Sequence, residues 1–460
     1  MREELEENTS EGYPEIIDAE LVDSVLEAVQ ANDTDQVSEL LEPLHAADVA
    51  DLFEQIGPND RRMLVEVWGS NIDGELLSEL DDSVRGPLLE TLSPHVLAEA
   101  IKELNSDDVV DLVEDLEAEQ QARILGQLEA VDRIGVESSL AYPEYSAGRL
   151  MQRELVELPE SWRAGQAIDF VRNAEELPDQ FYHIILVSPE RHPVGYVSLG
   201  KLFSSRRDSA LIDIAETSFR TVSATDKASE VAYLFNHYHL ISAPVVDETG
   251  RLIGVITIDD AMEVLDEELE EDILRLAGVP DASSLNDSVF QTTKRRTIWL
   301  LVNLGTAIVA SLVINLYSAT IDQMVALAVL MPIVASMGGN AGTQTMTVAV
   351  RAIATYELTA SNALRVSWRE ITVGAINGLT FGAIMAVVAG FWFGTPMLAV
   401  VIAVAMLFTL VAAALGGILI PMVLNRLNID PALASGPLVT TVTDVIGFFA
   451  FLGVATALLL

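Results

Sequence analysis

Three patterns of apolar and polar positions follow one another along the chain. From residue 16 to about 140, apolar residues recur every three or four positions, the spacing of amphipathic helices. One stretch occurs twice: Ala47-Asp48-Val49-Ala50-Asp51-Leu52-Phe53-Glu54 returns sixty residues later as Asp107-Asp108-Val109-Val110-Asp111-Leu112-Val113-Glu114. A helical unit repeated in this way predicts stacked hairpins, an all-α superhelical N-terminal domain. From 146 to 265, short β-branched runs alternate with helical stretches. Val187-Ser188-Pro189 with Gly195-Tyr196-Val197-Ser198-Leu199 is matched fifty-nine residues on by Val246-Asp247-Glu248 with Gly254-Val255-Ile256-Thr257-Ile258. This predicts a duplicated α/β unit, about 146–205 and 210–265. Residues 266–296 read as a linking helix. Five apolar runs follow, near 297–317, 324–350, 371–393, 397–424 and 438–460, each reaching the roughly 20 residues that cross a bilayer core as helix. The expected fold class is a multi-domain membrane protein ending in a five-helix transmembrane domain.

Charge separates the same parts. Of 69 acids and 26 bases, residues 1–290 hold 64 and 19, and residues 291–460 hold five and seven. The N-terminal half is strongly acidic, a balance unsuited to nucleic acid. Lys294, Arg295 and Arg296 precede the first run, Arg351, Arg365 and Arg369 lie between the second and third, and Arg426 lies between the fourth and fifth. Positive charge stays inside, so the N-terminal half is expected in the cytosol and the C-terminus outside the cell (inner) membrane. Met1-Arg2-Glu3-Glu4-Leu5-Glu6-Glu7 has no apolar run behind its charges and does not read as a signal peptide. The chain has no cysteine, which removes thiolate chemistry and soft metal sites.

Asp444 is the single ionisable residue deep in the last apolar run. A carboxylate there costs several kcal/mol unless it meets water, a cation or a partner. Thr440, Thr441 and Thr443 add hydroxyls, and Gly436-Pro437 is expected to break the start of the helix and free carbonyl oxygens. Oxygen-only surroundings suit Mg²⁺, which keeps its waters and takes one or two carboxylates. One carboxylate per chain makes a poor cage, so a homodimer with an Asp444 pair on its twofold axis is expected. In the second run, Pro332, Gly338, Gly339 and Gly342 accompany Asn340, Thr343 and Gln344. The glycines fit close helix packing as well as a pore, and the polar trio favours pore support.

Two resemblances enter on these residues. His239-Leu240-Ile241-Ser242-Ala243-Pro244-Val245-Val246-Asp247 followed by Gly254-Val255-Ile256-Thr257 resembles the ending of a CBS domain, and the duplicated units resemble a tandem CBS pair. Met331-Pro332-Ile333-Val334-Ala335-Ser336-Met337-Gly338-Gly339-Asn340-Ala341-Gly342-Thr343-Gln344-Thr345 and Gly436-Pro437-Leu438-Val439-Thr440-Thr441-Val442-Thr443-Asp444 resemble the MgtE family of magnesium channels. The resemblance implies a homodimeric Mg²⁺ channel closed by cytosolic Mg²⁺. It implies sensing ligands at Asp226, Asp259, Glu267, Glu270 and Glu271, with Asp107 or Asp108 from the N domain. At Asp430 it implies an acid that faces the gate; a solvated loop acid or helix cap is the alternative.

The residues themselves give part of this. In Asp266-Glu267-Glu268-Leu269-Glu270-Glu271-Asp272, Glu267 faces Glu270 and Glu271 on a helix, and like charges at that spacing repel. A bound Mg²⁺ would turn the repulsion into a bridge. Against this stands salt adaptation: four Lys and 22 Arg among so many acids describe a surface on which most carboxylates bind nothing in particular. Thr257 and Asp260 fit the T-x-x-D pattern by which CBS pairs hold adenosine phosphates such as ATP, and equally fit a helix cap. The first unit reads Ser198-Leu199-Gly200-Lys201 there and lacks the acid. An intramembrane metalloprotease needs H-E-x-x-H on a span, and no histidine follows His239, so no enzyme is expected. The open alternative is an ion-coupled secondary transporter of Mg²⁺ or another divalent cation such as Co²⁺.

Overall fold

Acids punctuate the first 140 positions because they start helices. Asp18, Asp33, Asp73 and Asp81 each accept a backbone N–H from the first turn of the helix that follows, which satisfies donors the helix itself leaves open. The computed structural model describes residues 17–279 apart from 115, 117, 175, 176 and 179, and residues 289–459 apart from 356. It divides into two units, one ending at Glu268 and the other beginning at Leu269, described here one at a time.

The N-terminal domain comprises α1 (Ala19–Gln30), α2 (Thr34–Leu41), α3 (Ala46–Gln55), α4 (Pro58–Trp68), α5 (Gly74–Ser78), α6 (Asp82–Thr91), α7 (Pro94–Glu103), α8 (Ser106–Glu114), α9 (Ala118–Leu125) and α10 (Ala130–Leu140). Helices two apart stack: α2 on α4 and α4 on α6, and α3 on α5, α5 on α7 and α7 on α9. The repeated segments become α3 and α8, and each buries the same four positions, Val49, Ala50, Leu52 and Phe53 in one and Val109, Val110, Leu112 and Val113 in the other. All eight belong to one continuous core.

The α/β part opens with α11 (Ala147–Leu150), β1 (Val156–Pro159), α12 (Ala164–Asn173), β2 (His183–Val187), β3 (Pro193–Ser198), α13 (Leu199–Ser204) and α14 (Leu211–Ile214). It continues with β4 (Val222–Ser223), α15 (Ala228–Tyr238), β5 (Ser242–Val246), β6 (Leu252–Thr257) and α16 (Ile258–Leu276). Each unit is a three-stranded sheet with its first pair parallel and its second antiparallel. The copies share even a register shift, at Leu186/Val187 and at Val245/Val246. They meet where Ile185, Leu252 and Val255 form a small shared core.

In the second unit lie α17 (Val289–Leu316), α18 (Ser318–Gln323), α19 (Ala326–Ala354), α20 (Ala363–Phe393), α21 (Pro396–Arg426) and α22 (Pro431–Leu459). Five of these are long and apolar enough to cross a membrane. The helices outrun the apolar stretches at ends such as Arg365, Arg369 and Glu370, because a helix continues through polar residues once it has left the hydrocarbon. Of the expected linking helix 266–296, residues 280–288 lie outside the described residues, as do Ile16, Leu460 and the acidic N-terminal stretch. The expected helix break at Gly436-Pro437 does not occur. Pro437 sits inside a continuous α22, and the hydroxyls of Thr440 and Thr441 donate to the carbonyls of Gly436 and Pro437 at 2.5–3.1 Å. These are the usual back-bonds of threonine to the preceding turn; the carbonyl whose donor Pro437 lacks is that of Leu433, one turn earlier, and the helix carries through it.

The glycines of α20 explain the tightest seam. A Cβ at Gly374, Gly378 or Gly382 would stand 2.8 Å from Leu410 O, Leu407 Cα or Ala403 O of α21, so the two helices touch backbone to backbone. In α19, Gly338 and Gly342 likewise face Thr409 and Val439, whereas Gly339 meets nothing nearby. The packing reading therefore holds for Gly338 and Gly342. Ser336, Asn340, Thr343, Gln344 and Thr347 form an exposed polar stripe on the same helix.

Candidate functional site

Helix α8 is clamped at both ends. At its start, the N–H and Oγ of Ser106 donate to Glu154 Oε2 at 3.2 and 2.8 Å; at its end, Arg149 Nη1 donates to Glu114 at 2.8 Å. Held this way, α8 brings Asp107, Asp108 and Asp111 against the first turns of α16, which carry Asp259, Asp260 and Glu263. Burial pushes Asp107 well above the usual carboxylate range, and the charge of Asp260 adds to it. Burial pushes Asp108 up to about 6, with Asp111 and Asp259 adding, and Asp260 up to about 7, with Asp259 and Asp108 adding. Glu263 is likewise pushed up to about 7 by burial, then by Asp111, Glu267 and Asp260.

Counter-charge is partial. The buried guanidinium of Arg85 donates to Asp82 and Asp111 and lowers Glu263 slightly. Several members also serve local structure. Asp108 accepts the Asn105 N–H at 3.2 Å, and Asp260 accepts the Thr257 N–H and O–H at 3.2 and 2.6 Å. Thr257 and Asp260 thus close a cap at the start of α16 and join the acidic group at the same time.

The arrangement fits a hard divalent cation. All donors are oxygens, Arg85 relieves their mutual repulsion only in part, and a double positive charge would relieve the rest. Among the described residues, no three or more acids or histidines converge closely enough to hold a bare metal ion.

Other expected residues lie elsewhere. Asp226 occupies the turn before α15, accepting the Ser223 N–H at 2.9 Å. Glu267 extends the acidic face of α16 by one turn and acts on Glu263, and Glu270 is exposed. Glu271 pairs with Arg275 at 2.6 Å. Asp430 accepts the Ala432 N–H at 2.7 Å, so it does cap α22, and it also lies 3.3 Å from Arg275. Asp444 is half-buried on α22, one residue past Thr443, whose hydroxyl donates to the Thr440 carbonyl at 2.9 Å.

Sequence reasoning missed Asp111, Glu263, Glu154 and Arg85. The first two were within reach: Asp111 lies one turn after Asp107 and Asp108, and Glu263 one turn after Asp259 and Asp260, each on the same helix face. Glu154 and Arg85 are brought in by tertiary packing and carry no local signal.

Comparison with known proteins agrees along the chain. The family of divalent cation transporters termed MgtE matches residues 331–454, the MgtE intracellular N domain matches 44–145, and the CBS domain matches 211–267. The magnesium transporter MgtE of Thermus thermophilus is 34% identical over 329 residues, 71% of this chain and 73% of that one. That of Enterococcus faecalis is 30% identical over 321 residues, 70% and 71% of the two chains. A solved cytosolic domain of the Mg²⁺ channel MgtE in complex with ATP is 30% identical, with a TM-score of 0.48, covering 53% of this chain and 99% of its own.

Proposed function

This chain belongs to the MgtE family, and on that premise we propose that it is a homodimeric Mg²⁺ channel of the cell membrane, closed by cytosolic Mg²⁺. The observation that carries the gating reading is the meeting of Asp107, Asp108 and Asp111 of α8 with Asp259, Asp260 and Glu263 of α16. At low Mg²⁺ these carboxylates repel; at high Mg²⁺ the ion bridges them and holds α16 against the N-terminal domain. Helix α16 carries half of these acids in its first turns, so its position is what the sensor sets. Glu267, Glu270 and Asp226 are additional candidate ligands.

For permeation, Asp444 is proposed to meet its counterpart in a second copy and hold a hydrated ion. The exposed polar stripe of α19 supports a wet path. The span of α17 is only 6% buried within its own chain, which supports a partner subunit or lipid against it. The run of bases before α17 and between α19 and α20 supports a cytosolic N-terminal half and an external C-terminus. ATP at Thr257 and Asp260 is proposed on the pattern alone, and it would share Asp260 with the sensor.

The test is Mg²⁺ influx into proteoliposomes holding the purified chain. Passive influx that falls as Mg²⁺ on the cytosolic side rises, and that disappears in Asp444→Ala, is the expected result. Influx that requires a Na⁺ or proton gradient would make the protein a coupled transporter; preference for Co²⁺ would change the substrate.

A further inference from the structure

The last turn of α16 is fastened to the membrane helices by a protein-borne cation. Arg275 Nη2 lies 2.6 Å from Glu271 Oε2 on its own helix, and Arg275 Nη1 lies 3.3 Å from Asp430 Oδ2 at the start of α22. The arginine side chain is only 18% exposed. Asp430 is itself oriented, since its other oxygen takes the Ala432 N–H at 2.7 Å. The next residue along, Leu276, packs into a cluster made by Met346 and Val350 of α19 and Ala432 and Val439 of α22. An oriented carboxylate, a guanidinium shielded on one side and an apolar knob beside it form a contact that specifies one docked position.

From this geometry we infer that Arg275 is a positioning residue that latches α16 onto α22, with Glu271 and Asp430 serving as its carboxylate partners rather than as ligands of a divalent ion. The inference rests on the reading of the chain as a channel closed by α16. It divides the labour along that helix: the acids from Asp259 to Glu267 read the cation, and Arg275 with Leu276 converts the helix's position into a closed entrance. The strength of the latch does not depend on Mg²⁺. Glu271 sits one turn before Arg275, where it preorganises the guanidinium toward Asp430.

The full-length chain in proteoliposomes and in nanodiscs tests this. Arg275→Gln and Asp430→Asn should each leave influx at low cytosolic Mg²⁺ unchanged and raise residual influx at saturating Mg²⁺ by about fivefold, the effect of losing a partly shielded ion pair. Arg275→Asp combined with Asp430→Arg should restore closure. The Mg²⁺ concentration that protects α8 and the first turns of α16 from hydrogen exchange should be unchanged in all three. Normal closure in Arg275→Gln overturns the latch. A shift of the Mg²⁺ midpoint in Asp430→Asn but not in Arg275→Gln also overturns it, making Asp430 a metal ligand. Hydrogen exchange over residues 272–276 reads the latch without any flux: faster exchange in Arg275→Gln upholds it even where the native chain passes no Mg²⁺, and that second result would remove the channel reading alone.

Discussion

Asp108 accepts the backbone N–H of Asn105 at 3.2 Å, and Asp48, sixty residues earlier, accepts that of His45 at 3.3 Å. The two acids are equivalent positions of the repeat and perform the same capping task, yet only Asp108 faces α16. Removing either side chain should therefore cost about 1 kcal/mol of stability. Asp48→Ala should leave Mg²⁺ protection of the cytosolic half against protease unchanged, whereas Asp108→Ala should weaken it. Asp108→Asn, which keeps an acceptor and drops the charge, should retain the stability and lose part of the Mg²⁺ response. Thermal melting and Mg²⁺-dependent proteolysis of the same preparations separate the two effects.

Protons should substitute for the cation at the α8–α16 contact. Asp108, Asp260 and Glu263 hold protons up to about 6 to 7 when folded, against about 4 in an unfolded chain. The folded state then binds more protons across that window, so stability is greatest at low pH and is lost as pH rises through 6 to 7. Without Mg²⁺, protease resistance of the cytosolic half should fall between pH 5.5 and 8; saturating Mg²⁺ should flatten the profile. A profile equally steep with and without Mg²⁺ would separate the cation from these acids.

His183 and Ser242, fifty-nine residues apart at matching positions of the two β units, are joined by a 2.6 Å hydrogen bond. Burial holds the His183 ring below its ordinary value, so it contributes as a neutral group and its share of stability is lost as pH falls below about 6.5. Ser242→Val, which fills the space and removes the partner, should cost about 1–2 kcal/mol, measured as a lower melting temperature of the cytosolic half.

Gly378→Leu should be far more damaging than its position in an apolar helix implies. A Cβ there already stands 2.8 Å from Leu407 Cα, so the larger side chain must separate α20 from α21 at a cost of about 1–3 kcal/mol or more. Loss of monodisperse protein in detergent is the expected readout, whereas Gly339→Ala, with open space around it, should be tolerated.

The parts of the fold written in periodic patterns were legible in the sequence: the spans, the duplicated sheets and the helical repeat each repeat a signal many times. The site was legible only where acids share one helix. Glu267 stood out from its spacing on α16, Asp260 from the T-x-x-D pattern, and Asp259 with Asp107 or Asp108 only from the family resemblance; how they meet depends on how α8 is clamped by Glu154 and Arg149, contacts up to 48 residues apart. Gly436-Pro437 misled because one proline removes a single i→i−4 bond, which a long packed span absorbs without ending. Asp430 shows a further case: of the cap and gate readings the cap is what its Ala432 N–H bond displays, and its other oxygen faces Arg275, a partner that no local signal announced.

The bare seam between α20 and α21 has a mechanical consequence. Helices in backbone contact have few side chains between them to re-pack, here Leu407 and Ala414, and resist sliding by small steps. A Cβ at Gly417 of α21 would stand just as close to the backbone of α19, 2.8 Å from Gly342 O, so α19, α20 and α21 form a stator, and on the channel reading the helix left to turn against them is α22, which carries Asp430 and Asp444.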